Sequence, residues 1–144
     1  MSFDGWQNVR RLLVIQLGGI EDVVLTEPAL RTLRQLIPDA VITLMTTPAC
    51  SQVAGQQTWV DDVLVYESGF MSANTEREIA LIETLRDRRF DAAVIFTNNQ
   101  SPYPLAYICY LAGIPIRLGQ SQEFGGSVLS QCLKPQELDT LSKT

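Results

Sequence analysis

Apolar residues recur along this chain in two rhythms. Leu12 to Leu17, Val41 to Met45, Val63 to Tyr66 and Ala92 to Phe96 form short runs, β-branched or aromatic in part and continuous rather than alternating. Strands covered on both faces read this way, which favours a parallel sheet. Between the runs the period changes. From Ala29, the apolar positions Leu30, Leu33 and Ile37 return every three or four residues, with Arg31, Arg34 and Gln35 assigned to the outer face and Pro38 closing the helix. A second helix over Glu76 to Arg89 is expected to bury Ile79, Ile82 and Leu85, with Thr75 as N-cap and Glu78 three residues on. A third, Pro104 to Ala112, is expected to bury Leu105, Ile108 and Leu111 and to stop at Gly113.

A short helix near Ala49 to Ala54, a fifth strand at Ile116 to Gly119 and one more short strand within Val128 to Leu133 complete the series. Strands alternating with helices imply a doubly wound α/β sandwich with a mostly parallel sheet. Acidic turns, Pro38-Asp39-Ala40, Val60-Asp61-Asp62 and Phe90-Asp91-Ala92, stand just before strands. One domain over residues 1–133 is expected, followed from Lys134 by a polar tail or the start of an interdomain linker.

Composition narrows the chemistry. With 46% hydrophobic and 19% charged residues the chain reads as a soluble globular domain. No apolar stretch approaches the roughly 20 residues of a membrane-spanning helix. The opening MSFDGWQNVRR lacks the apolar core of a secretory signal, so a cytoplasmic protein is expected. The net charge of -5 argues against nucleic acid as a partner. Arginines cluster at Arg10 and Arg11 and again at Arg86, Arg88 and Arg89, either as solvated helix faces or as contacts for phosphate or anionic lipid. Cys50, Cys109 and Cys132 are scattered and fit reduced thiols. The chain has no histidine, which excludes Ser-His-Asp and Cys-His catalysis and argues against a zinc site of the usual kind. Proton transfer must then fall to carboxylates, tyrosines, lysines or a cofactor.

The most informative stretch is LVIQLGGIEDVVLTEPAL, residues 13 to 30. Open α/β sheets bind ligands outside the carboxyl ends of their strands, near a switch in strand order. Gly18 and Gly19 follow the first strand, where glycine permits a tight turn and close approach of a ligand. They complete neither a dinucleotide fingerprint nor a phosphate loop with its lysine. What remains is Asp22, a carboxylate at a strand-to-helix junction, beside Glu21. Two arrangements are open. Either a helix begins near Asp22 as N-cap, with Pro28 kinking its second turn, or Thr26 is the N-cap and Asp22 stays in the loop. Glu21 reads as a first-turn acid facing solvent. Asn98 and Asn99, after the fourth strand, suit either hydrogen bonds to a sugar or a polar turn. Tyr103, Tyr107 and Tyr110 read as packing residues, Trp6 and Trp59 carry no assigned chemistry, and Gly125-Gly126 reads as an ordinary turn.

The segment LLVIQLGGIEDVVLTEPALRTLRQLIPDAVITLMT resembles the opening of the family 9 glycosyltransferases, the ADP-heptose:lipopolysaccharide heptosyltransferases. Asp22, Thr26, Pro28, Ala29 and Leu30 match that family's pattern in order and spacing. VDDVLVYE, LIETLRDRRFDAAVIF and LAGIPIRLG are similar to later segments of the same half. The resemblance implies the Rossmann-like N-terminal half of a GT-B fold. It also implies metal-independent sugar transfer with inversion, no resident cofactor, and ADP-heptose as donor substrate. This half would bind a lipid-linked sugar acceptor through Gly18, Gly19, Glu21, Thr26, Asn98 and Asn99. Asp22 would act as general base, and peripheral contact with the inner face of a membrane would follow from the acceptor. Two departures stand out. Glu21 occupies a position where the family usually has glycine. The donor-binding half is absent from these 144 residues, so the chain alone is expected to be inactive. The rival readings are a stand-alone, non-catalytic binding or scaffold domain and, behind it, a flavodoxin-like module.

Overall fold

The computed structural model describes residues 5–67, 75–96, 103–120 and 131–133. Six strands, β1 (Arg11–Gln16), β2 (Val41–Thr46), β3 (Asp62–Val65), β4 (Ala92–Phe96), β5 (Ile116–Gln120) and β6 (Gln131–Leu133), form one sheet in the order β3-β2-β1-β4-β5-β6. Every neighbouring pair is parallel. The helices are α1 (Ile20–Leu25), α2 (Glu27–Leu36), α3 (Ser51–Gly55), α4 (Thr75–Arg88) and α5 (Tyr103–Leu111), with 3₁₀ turns at Trp6–Asn8 and Pro48–Cys50.

Because successive strand residues face opposite sides, the continuous apolar runs feed two cores at once. Leu12, Val14, Ile42, Leu44 and Val94 pack with Val23, Leu30, Leu33 and Trp6 on one face. Leu13, Ile15, Met45, Ala93 and Ile95 pack with Leu81, Leu85, Leu105 and Ile108 on the other. The result is a three-layer sandwich. Trp6, which carried no assignment, is a core residue at 3% exposure.

Helical spacing misplaced some side chains. Ile79 and Leu111 are about half exposed, whereas Leu81 and Ala112 are buried. A three-and-four spacing marks the right helix but several faces of α4 and α5 are apolar, and contact with the sheet selects among them. Tyr107 and Tyr110 are more exposed than packing residues would be, and the Tyr110 ring instead carries the Arg117 guanidinium 5.2 Å from its centroid. Gly113 ends α5 in a left-handed conformation (φ 80°).

Two of the acidic turns share a use. A parallel strand leaves its first amides unpaired, and an aspartate before the neighbouring strand can accept them. Asp91, ahead of β4, accepts from the Arg10 and Arg11 N–H groups at 2.8 and 3.0 Å. Asp61, ahead of β3, accepts from Ile42 N–H at 2.8 Å and pairs with Arg34. Arg34 is therefore no outer-face arginine. Its guanidinium also donates to the carbonyls of Pro38, Ala40 and Trp59, tying the end of α2 to two strands.

Partial burial pushes the Asp61 carboxyl up, but the Ile42 amide and the Arg34 guanidinium outweigh it and hold it below the usual carboxylate range. A folded-state pKa below the unfolded one means stabilisation that is complete above about pH 4 and lost as pH falls through the folded value. Asp61→Asn should cost about 1 kcal/mol at pH 7, a modest figure because the carboxylate is half exposed. The cost should shrink in urea titrations at pH 3, and an equal cost at both pH values would refute this account.

Candidate functional site

After β1 the chain moves outward to β2 and β3, then returns to place β4 on the other side of β1. The carboxyl ends of β1 and β4, where Gln16 pairs in register with Phe96, therefore flank the switch in strand order. Gly18, Gly19, Glu21 and Asp22 lie on that rim. Asn98 and Asn99, expected across the gap after β4, fall outside the described residues, as do Gly125-Gly126 and everything from Lys134 on.

Neither open arrangement for Asp22 is quite the observed one. Gly19 is the N-cap of α1, and Asp22 occupies the third helical position. Its Oδ2 reaches back to accept the Gly19 N–H at 3.0 Å, the reciprocal half of a capping box. Oδ1 has no hydrogen-bond partner among the described residues. Asp22 is half-buried and Glu21 exposed. A break at Thr26 separates α1 from α2, so Pro28 sits harmlessly in the first turn of the second helix.

Thr26, expected to touch substrate, is buried at 3% exposure with its hydroxyl engaged, so it supports the turn from beneath. Gln16 does the same and escaped notice in the sequence. It is the lone polar residue between Leu12 and Leu17, and a polar side chain in a strand covered on both faces must find partners. That signal was available.

Gly19 does not need glycine for its backbone, because φ is -77° and ψ -175°. A Cβ there would meet Asp22 Oδ2 at 4.0 Å, ordinary contact. Only the close-approach reading of this glycine survives. Gly19→Ser, which places a preferred N-cap residue at that position, should leave the thermal midpoint unchanged or slightly raised. A loss above about 1 kcal/mol would show a structural demand not visible in the geometry.

Two other side chains stay protonated. Burial, reinforced by Glu78 and opposed by Arg77, pushes the Tyr66 hydroxyl up, which keeps it a neutral phenol at pH 7. Burial pushes the Cys109 thiol up to about 12, against a smaller pull from Arg117. Among the described residues no three carboxylate or thiol side chains gather closely enough to hold a metal ion, and no helix is long and apolar enough to cross a membrane.

Two hollows lie away from Asp22. One of about 390 Å³ opens at the amino ends of the strands, between Arg11, Thr43, Asp62, Arg88 and Phe90. Another of about 250 Å³ lies beside β3, between Leu64, Tyr66, Arg77 and Leu81. Neither includes Asp22. The arginines are tied down locally. Arg11 donates to the Arg88 carbonyl at 2.9 Å, Arg86 to the Leu111 carbonyl, and Arg88 pairs with Asp62 at 2.8 Å. They line the end of the sheet opposite Asp22.

No family model matches the sequence. Over 120 residues the chain is 25% identical to lipopolysaccharide heptosyltransferase 2 of Escherichia coli K12, aligning 83% of this chain with 34% of that protein. The chain thus spans about a third of the length of the curated relatives it matches. The solved structure of E. coli ADP-heptose lipopolysaccharide heptosyltransferase II superposes with a TM-score of 0.72 and 23% identity, over 88% of this chain and 36% of that one. A family 9 glycosyltransferase from Veillonella parvula superposes with a TM-score of 0.65 and 20% identity, over 87% and 36%. The fold is that of one half of a GT-B glycosyltransferase. In sequence and in fold, the chain resembles the N-terminal domain of the heptosyltransferases of glycosyltransferase family 9.

Proposed function

We propose that this chain is the acceptor-binding half of a heptosyltransferase-like enzyme, with Asp22 as the base that takes the proton from the acceptor hydroxyl. One observation carries the reading. Asp22 sits on the rim of the topological switch point with one carboxylate oxygen held by Gly19 N–H and the other without a hydrogen-bond partner among the described residues. A base must keep a lone pair aimed at the proton it removes, and a fixed Oδ2 orients Oδ1. The aspartate is also the residue that matches the heptosyltransferase motif, four residues before Thr26 and six before Pro28.

Deprotonation by Oδ1 would let the acceptor oxygen attack the anomeric carbon of the donor sugar as the nucleoside diphosphate leaves. The donor would be held by a second half facing this rim. ADP-heptose is the donor suggested by the relatives, and an inner-core lipopolysaccharide sugar the acceptor.

Nuclear magnetic resonance on the 144-residue chain tests the acceptor assignment. Titration with an inner-core lipopolysaccharide oligosaccharide should shift the Gly18, Gly19, Ile20 and Asp22 amides, while ADP-heptose should leave them in place. Shifts with ADP-heptose alone, or none with the oligosaccharide at millimolar concentration, would overturn it.

A further inference from the structure

We infer that Gln16 is a positioning residue for Asp22, acting through Thr26 and the Gly18 loop. The inference rests on the reading of Asp22 as the base but is carried by a separate set of contacts. The Gln16 side chain is buried at 3% exposure at the carboxyl end of the central strand. Its Oε1 accepts the Gly18 N–H at 3.0 Å, and its Nε2 donates to Thr26 Oγ1 at 3.1 Å. Thr26 Oγ1 in turn donates to the Asp22 carbonyl at 2.7 Å. From the other side, the Cys50 thiol lies 3.5 Å from the Gly18 carbonyl.

One amide side chain therefore holds both ends of α1. The loop entering the helix is fixed at Gly18, and the residue leaving it is fixed at Thr26, whose hydroxyl reaches back to the residue that carries the carboxylate. A helix of six residues has too few internal bonds to hold itself in place. Its rigidity must come from such anchors, and buried networks of this kind are worth the most when every partner is satisfied. The bond from Gly19 N–H to Asp22 Oδ2 then forms inside a frame referenced to β1, which pairs with a strand on each side. The effect of Gln16 on the carboxylate is one of direction and constancy.

The test uses Gln16→Met, which keeps length and loses both polar contacts, alongside Thr26→Val and Thr26→Ser. Amide exchange at Gly18 and Gly19 and the χ1 couplings of Asp22 are measured in the 144-residue chain. In Gln16→Met and Thr26→Val, exchange at the two glycines should quicken about tenfold or more. The Asp22 coupling should move from one rotamer toward an average. Thr26→Ser, which restores the hydroxyl, should behave as the parent. Should Gln16→Met not fold, the Thr26 pair decides alone. An Asp22 side chain that stays in one rotamer in Thr26→Val, or exchange that quickens evenly throughout the domain, overturns the inference. Failure of the base assignment is read separately, from sugar transfer by Asp22→Asn. Full transfer there would leave the anchor standing and remove its catalytic purpose.

Discussion

Asp22→Asn, in a polypeptide that also carries the donor-binding half, should lower kcat for heptose transfer by about 10²-fold or more, the usual scale of general acid–base catalysis. The substitution is close to isosteric, and the asparagine Oδ1 can still accept the Gly19 N–H. Stability should therefore fall by less than about 1 kcal/mol, the share owed to a negative charge near a helix N-terminus. A large loss of turnover with an unchanged thermal midpoint is the combination that separates a base from a cap. Unchanged turnover removes Asp22 from the mechanism. A parallel loss of both would mean that the carboxylate chiefly holds α1 together. An increase in KM with kcat intact would recast Asp22 as a binding group.

The second large effect concerns the two-sided core. Leu12 and Leu13 are adjacent in β1 and both at 0% exposure, yet they belong to opposite faces of the sheet. Each truncation to alanine should cost about 3 kcal/mol, from lost burial plus the cavity left behind. The clusters share no buried side chain, so the double variant should lose about 6 kcal/mol, the sum of the two. That approaches the whole stability of many domains of this size, and the double variant should be largely unfolded at low denaturant. Urea midpoints measure it. A double variant no worse than the single ones would show that the two faces relax together, contrary to a sheet that divides them.

The comparison of pattern with structure is uneven in an instructive way. Continuous apolar runs located β1 to β4, and in β1, β2 and β4 burial on both faces removes the alternation that a one-sided strand needs. Pro38 and Gly113 marked helix ends because their backbone preferences are local. The side chains that fared worst were those whose environment is set from far away. Ile79 and Leu111 obey helical spacing and still face outward. Arg34 read as a solvated charge and is instead locked to Asp61, 27 residues on. The two arginine clusters lie 75 or more residues apart and meet only through the crossover that sets β4 beside β1.

The candidate site divides along the same line. The strand, the glycine turn, the acid and the threonine-proline helix start lie within a few residues of one another, and short-range backbone chemistry made them legible. The residues named there are on the rim, apart from Thr26, which lies beneath it, and the asparagines outside the described residues. Gln16 was overlooked: a lone polar residue in a doubly covered run signals that partners exist, but only the fold shows that they are Gly18 and Thr26.

The chain by itself determined the alternation of strand and helix, the absence of imidazole chemistry and the placing of an acid where a buried strand ends, since each depends on neighbours in sequence. Only the tertiary structure decided that β4 returns beside β1, that Thr26 turns inward, and that one oxygen of Asp22 is held by the Gly19 N–H. Those outcomes depend on which distant groups share a surface, and hydrogen bonds and packing across the sheet settle that only once the chain has closed on itself.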